Sequence, residues 1–308
     1  MAAKYDSIGI NYAELRRPEP RIAAVIWHAL GQAKTVLNVG AGTGSYEPAD
    51  RQVMAVEPSL EMIRKRSSSA AMAIQACADD LPFGDKTFDA SMAILTVHHW
   101  PDKEAGLNEM RRVTRGQIIL LTFDPSHRPW LTEYLPELAS LDEAQMPSIS
   151  DYARWLGPVR LTPVLIPHDC RDGFLYAYWR RPRAYLDARI RSGSSSFWAI
   201  GNAEPGLQRL RQDLDTGEWE RRYAELLTLD AYGLSSGRGG LSRHGVPPLA
   251  ACGCDRYNRP DYVYFNSTMM ARGVPLRAFS TWAGMPCALY TACPDFLTIA
   301  VDASLPVE

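Results

Sequence analysis

Three features between residues 36 and 89 carry the chemistry of a small-ligand site. The first is Val36-Leu37-Asn38-Val39-Gly40-Ala41-Gly42-Thr43-Gly44, an apolar run closed by glycines at every second position. Glycine has no Cβ, so it adopts φ > 0 readily and lets the backbone approach a ligand. The spacing G-x-G-x-G is tighter than the G-x-G-x-x-G turn that seats a dinucleotide pyrophosphate on a helix N-terminus. The second feature is Glu57, which ends the next apolar run, Val53-Met54-Ala55-Val56. A carboxylate at a strand end can accept hydrogen bonds from both hydroxyls of a ribose, or it can sit at a helix start favoured by the dipole. The third is Ala78-Asp79-Asp80-Leu81-Pro82-Phe83, followed by Asp85 and Phe88-Asp89.

The three occur in order and at matching separations, and here the chain resembles the class I, Rossmann-like S-adenosylmethionine-dependent methyltransferases. Within these it is most similar to the type 11 family of small-molecule methyltransferases. The resemblance is tightest over residues 36–89 and looser over about 5–230. It implies S-adenosylmethionine as cofactor, held by Asn38, Gly40, Ala41, Gly42, Gly44, Glu57, Pro58, Ala78, Asp79 and Leu95. Two positions depart from the family pattern. Asn38 replaces the usual acid two residues before the first glycine, and Cys77 replaces the aspartate that often contacts the adenine amino group. The adenine is then expected on the Ala78 backbone, on Asp79, or in packing alone.

A methyl-transfer enzyme mainly positions its acceptor, and a base helps when the acceptor must lose a proton. His98 and His99 follow the fourth strand-like run, and a histidine suits proton removal near neutrality. His168 with Asp169, after a later strand-like stretch, is a second candidate, or a polar loop. Cys170 is a poor candidate nucleophile, because the reaction needs no covalent intermediate. Tyr5 and Tyr12 lie in a lead-in that resembles the family's lid helix, so Tyr12 is either a ligand contact or an amphipathic anchor. Trp100, Trp130, Tyr176, Trp179 and Trp198 suggest an aromatic-lined pocket, though such residues also fill cores.

These residues need a scaffold. Thr35–Val39, Gln52–Val56, Ala71–Ala76, Phe88–Leu95 and Gln117–Phe123 are continuous apolar runs, the pattern of parallel strands covered on both faces. Helical segments alternate with them. Ser59 is placed to cap one, and Asp102 another whose apolar face carries Leu107, Met110 and Val113. The expected fold is α/β: a doubly wound, mostly parallel sheet with helices on both faces. The lead-in at 12–31 reads as helix, as do 130–144, 150–156 and 182–229, with a strand-like stretch at 159–166. The expected organisation is a methyltransferase domain over 1–231, with core 33–166 and helical lid elements at 1–31 and 170–230, and an irregular tail over 232–308.

The tail holds seven of the 22 prolines and eight of the 22 glycines and shows no sustained periodicity. Family members, as the resemblance implies, close the sheet with an apolar strand just after a position like 226–230. Codons compatible with 232–237, read in a neighbouring frame, spell such a strand, so a one-base deletion and a sheet without its last strand are expected. The alternative is an appended segment that binds a partner or a metal, since Cys252, Cys254, Cys287 and Cys293 lie there; their spacing is unlike a structural zinc site, so no metal is expected.

Composition excludes other classes. The chain has 308 residues, 46% hydrophobic and 22% charged, with a formal charge of −2, which gives no electrostatic footprint for nucleic acid or an anionic membrane. Four Arg-Arg pairs, Arg16-Arg17 among them, read as solvated helix faces. No apolar run spans a bilayer and no secretory leader is visible, so a cytoplasmic location is expected. The function expected is methyl transfer to O, N or C of a small molecule, secondary metabolites included. The alternative is a non-catalytic S-adenosylmethionine-binding or scaffold protein. A nicotinamide dehydrogenase is disfavoured by the glycine spacing, and a nucleic-acid methylase by the charge.

Overall fold

The computed structural model describes residues 12–232 and 296–303, with the backbone alone at 12, 13 and 296–298. Among these residues nine strands form two sheets. The larger is built from β1 (Thr35–Val39), β2 (Gln52–Val56), β3 (Met72–Ile74), β4 (Ala90–Ile94), β5 (Gln117–Phe123) and β6 (Arg160–Pro163), with a strand from the tail. A small antiparallel pair joins β7 (Ile166–Pro167) to β8 (Ala231–Tyr232). The tail strand is β9 (Phe296–Asp302). The large sheet runs in the order β3-β2-β1-β4-β5-β9-β6. It is parallel from β3 to β5, and β9 is antiparallel to both its neighbours.

The central strands are buried on both faces, as their continuous apolar runs require. On β5, Ile119 and Leu121 join a core with Ile22, Ile26 and Leu30 on one face. Ile118 and Leu120 join a second core with Leu107, Met110, Val113, Tyr152 and Leu156 on the other. The helices follow from their caps. After α1 (Tyr12–Leu15) and α2 (Pro20–Ala29), α3 (Leu60–Arg64) starts at Ser59, whose side chain accepts the Met62 N–H. Next, α4 (Lys103–Val113) starts at Asp102, which accepts the Ala105 N–H. Asp89, from the Phe-Asp motif, ties β1 to β4: its carboxylate accepts the N–H groups of Thr35 at 2.9 Å and Lys34 at 3.0 Å. Those bonds hold its pKa down to about 2.

Prolines account for several departures from the expected elements. The lead-in is not one helix: it breaks between α1 and α2 at Pro18 and Pro20, which remove N–H donors and restrict the residue before them. The 130–144 segment splits at Pro136 into α5 (Leu131–Tyr134) and α6 (Pro136–Gln145), followed by α7 (Ile149–Leu156) with a Ser148–Asp151 capping box. The 182–229 region holds α8 (Ala188–Ser192), α9 (Ser195–Ala199), α10 (Glu204–Thr216) and α11 (Glu218–Arg222). Leu207, Leu210 and Leu214 on α10 are core residues.

The tail differs most from expectation. The sheet has its last strand: β9 inserts between β5 and β6, with Ile299 and Val301 buried. The expected position, just after 230, supplies only the two residues of β8. The slot beyond is taken by a segment more than 60 residues later. Residues 233–295, with the codon-frame question they raise and Cys252, Cys254, Cys287 and Cys293, lie outside the described residues.

Because Ile299 is fully buried between the central strands and α7, Ile299→Ala is expected to lower unfolding free energy by about 2–5 kcal/mol. Chemical denaturation measures this, and a change below about 0.5 kcal/mol, the size of an exposed substitution, would remove β9 from the sheet.

Candidate functional site

The carboxyl ends of β1, β2 and β4 open into a cleft. Its walls include Asn38, Gly40, Ala41, Gly42, Glu57, Pro58, Ala78, Asp79 and Leu95, nine of the ten expected cofactor positions. Gly44 is the exception: a Cβ there would press on Ala70 and on the Glu47 carboxylate, so this glycine serves packing. Gly40 and Gly42 have φ of 68° and 52°, which L side chains rarely adopt. A Cβ on Gly40 would overlap the Thr96 side chain, whereas one on Gly42 would meet no atom within 4 Å. Bare backbone at Gly42 therefore faces open cleft.

Glu57 is the pivot of this cleft. One carboxylate oxygen accepts the Gly42 N–H at 2.8 Å and the other accepts the Ser59 N–H at 3.0 Å. The side chain is thus both the brace of the glycine turn and a wall of the cleft. A carboxylate can accept about four hydrogen bonds, and these two backbone donors aim it. The cleft offers about 980 Å³ of free space, open solvent at its mouth included. A glycine cradle without a phosphate-binding third glycine, a strand-end acid and an exposed Asp79 beside Ala78 fit a nucleoside sulfonium.

The floor explains Asn38. Its side-chain N–H donates to Glu47 at 3.1 Å, and Glu47 also pairs with Arg66 at 2.6 Å. Arg66 in turn donates to the Gly42 carbonyl at 3.0 Å. Both members of the ion pair are almost fully buried. The acid usual at position 38 would face the Glu47 carboxylate; an amide donates to it instead. Cys77 is exposed on the cleft wall.

A second cavity adjoins the first and shares Arg16, Leu95 and His99 with it. The 3-10 turn Val97–His99 places His99 on both cavities and His98 on the second only, their rings 3.8 Å apart. Leu95 holds φ of 52° where the cavities meet, a strained conformation of the kind that gathers at functional sites. Phe123, Asp142, Met146, Phe174, Tyr176 and the 193–196 segment line the rest.

Other candidates stand elsewhere. His168 lines neither cavity; its Nδ1 meets the Asp230 carbonyl at 3.0 Å, while Asp169 pairs with Arg21 at 2.7 Å, so no oriented His–Asp pair forms. Tyr5 and the side chain of Tyr12 lie outside the described residues. Burial pushes the Cys170 thiol up to about 12, which keeps it from acting as a thiolate. Of the five aromatics, Trp100 lines the first cavity and Tyr176 the second. Trp130 and Trp179 are core residues joined by a 2.8 Å bond from the Trp130 indole to the Trp179 carbonyl, and Trp198 is exposed.

Two cavity-lining positions are invisible to motif reading. Arg16, expected on a solvated face, is ion-paired with fully buried Asp172 at 2.6 Å, and Tyr46 donates to the same carboxylate at 2.8 Å. This clamps the lead-in against the loop after β7, with the Gly173 N–H donating to the Leu15 carbonyl. Asp142 is buried on α6, where its only sequence signal is its place four residues after core Leu138, on the inward face. Tyr176 donates to it at 2.6 Å. Desolvation pushes its pKa up to about 6, against the opposing effects of the Tyr176 bond and the Arg128 charge.

Among the described residues no helix is long and apolar enough to cross a membrane. Residues 37–121 match the family model described as a methyltransferase domain. A solved structure described as a putative methyltransferase from an antibiotic biosynthesis pathway of Anabaena variabilis is 35% identical, with a TM-score of 0.63, over 70% of this chain and 94% of that one. The demethylmenaquinone methyltransferase of Paenarthrobacter aurescens is 27% identical over 66% of this chain and 83% of its own length. The match to rice 2-methyl-6-phytyl-1,4-hydroquinone methyltransferase 2, at 28% identity, spans 39% of this chain and only 36% of the rice protein. The chain belongs to the class I S-adenosylmethionine-dependent methyltransferases.

Gly42→Val fills the open cleft at a left-handed position, and Glu57→Ala removes the brace. Each is expected to weaken S-adenosylhomocysteine binding by on the order of 100-fold, read by calorimetry. Unchanged affinity in both would move the cofactor elsewhere. Asp142 yields a second expectation. Its raised pKa means that folding favours the neutral acid, so its full contribution is present below about pH 4 and is lost as pH rises through about 6. Asp142→Asn should therefore gain stability relative to the parent between these values and hold the gain above, by on the order of 2–3 kcal/mol. A difference independent of pH would contradict the burial argument.

Proposed function

We propose that the chain transfers a methyl group from S-adenosylmethionine in the first cleft to a small organic acceptor in the second cavity. The carrying observation is that the two cavities share a wall at Leu95, His99 and Arg16. When bound, the cofactor supplies an electrophilic methyl on a sulfonium. The chain's own contribution is orientation and proton management. Gly40, Ala41 and Gly42 present backbone, and Glu57 presents acceptors to the sugar. Asn38 and the Glu47–Arg66 pair hold the turn beneath. His99, on both cavities, is placed to take a proton from an acceptor hydroxyl or amine, and the His98 ring lies beside it at a tilt.

The relatives' descriptions support a small acceptor: one comes from an antibiotic biosynthesis pathway, and others are named for demethylmenaquinone and a phytyl hydroquinone. The rival reading, a binding protein without turnover, drew its strength from a sheet lacking its last strand. With β9 in place that ground is gone.

Incubation with methyl-labelled S-adenosylmethionine and a panel of small phenols, quinols and amines tests the proposal. Label is expected in an acceptor, with S-adenosylhomocysteine formed in equal amount. His99→Ala is expected to lower kcat on the order of 100-fold while S-adenosylhomocysteine affinity changes by less than about threefold. An unaltered kcat would remove the base role.

A further inference from the structure

The second cavity contains a carboxylate that nothing above has used, and the inference drawn from it rests on reading that cavity as the acceptor site. Asp142 is 8% exposed and lines the cavity. Among the described residues its carboxylate has one hydrogen-bond donor, the Tyr176 hydroxyl on Oδ2. Buried carboxylates ordinarily hold several donors or a cation. Two nearby arginines among the described residues hold other partners. Arg128 is tied to Glu143 and to the carbonyls of Pro125 and His127, and Arg16 to Asp172. Around the carboxylate stand Phe123, Phe174 and Tyr176, with the Phe123 and Tyr176 rings 5.2 Å apart and tilted by 35°.

We propose that Asp142, held in place by Tyr176, is the acceptor-selecting group of the second cavity, and that the acceptors it admits carry a basic amine bound as the ammonium. A neutral hydroxyl would give the carboxylate one hydrogen bond and add no charge to the partial effect of Arg128. An ammonium gives the charge and up to three donors, through charge-assisted bonds roughly twice as strong as neutral ones. The aromatic walls favour the same ligand, since ring faces attract a desolvated cation. The elevated pKa of Asp142 agrees with a carboxylate whose counter-charge arrives with the ligand. Tyr176 acts as a positioning residue: its hydroxyl fixes one carboxylate oxygen and turns the other to the cavity.

The test uses the full chain saturated with S-adenosylhomocysteine near neutral pH. Calorimetric titration compares phenethylamine with phenethyl alcohol, and benzylamine with benzyl alcohol. Each amine is expected to bind at least about tenfold tighter than its alcohol. Asp142→Asn should abolish that preference, and Tyr176→Phe should narrow it, with S-adenosylhomocysteine affinity kept within about twofold in both variants. Equal binding of amine and alcohol, binding of neither, or a preference that survives Asp142→Asn would each overturn the proposal while leaving the methyltransferase reading standing. Failure of the parent protein to bind S-adenosylhomocysteine would instead remove the reading on which it rests.

Discussion

The site depends on one carboxylate that bridges two backbone segments. Glu57 ends β2 and accepts N–H groups from Gly42, in the turn after β1, and from Ser59, at the cap of α3. Hydrogen bonds to a charged group of this kind are the stronger ones, and a buried donor left unpaired costs about 1–3 kcal/mol. Because the same side chain lines the cleft, turn geometry and ligand recognition cannot be varied independently. Glycine at 40 and 42 is the other half of this constraint: positive φ is required at both, and at 40 the Thr96 side chain leaves no room for a Cβ.

Beneath the turn, the protein resolves an electrostatic problem by changing residue type. The Glu47–Arg66 pair is nearly dry, and Arg66 also supports the Gly42 carbonyl. A buried pair of this kind needs its remaining acceptor positions filled. Asn38 fills one, which an acid at the same position could not do. A departure from the family pattern is thereby matched by a carboxylate nine residues later.

The first cleft, the proposed cofactor side, was legible in the sequence because backbone demands dictate residue types locally. Alternate glycines, an acid at a strand end and a Phe-Asp that ties β1 to β4 each follow from a nearby geometric need. The second cavity, the proposed acceptor side, was hidden because it is assembled across the chain from Arg16, Leu95, Phe123, Asp142, Tyr176 and the 193–196 segment. Asp142 on the inward face of α6 looks like any helix carboxylate until the fold buries it. His168 misled in the opposite sense, since its neighbour Asp169 is drawn to Arg21 instead. The sheet's first five strands announced themselves by continuous apolar runs. The last did not, because its place in the sheet depends on pairing with β5 and β6 from far along the chain. Local pattern carries no information on such pairing.

Arg16 pairs with Asp172 and Arg128 with Glu143, so among the described residues the Asp142 carboxylate of the second cavity has no ion pair of its own. The first cleft, by contrast, uses its carboxylate to brace backbone. The two cavities thus divide the labour, one shaped by glycine and backbone amides, the other by charge and aromatic walls. Arg16, Leu95 and His99 form the boundary between them.

The most direct test of the account is calorimetric titration of the parent protein with S-adenosylhomocysteine and, separately, with NAD. The glycine spacing and the Glu57 brace predict saturable binding of the first at one site per chain and no binding of the second. Binding of NAD, or no heat with S-adenosylhomocysteine, would contradict it.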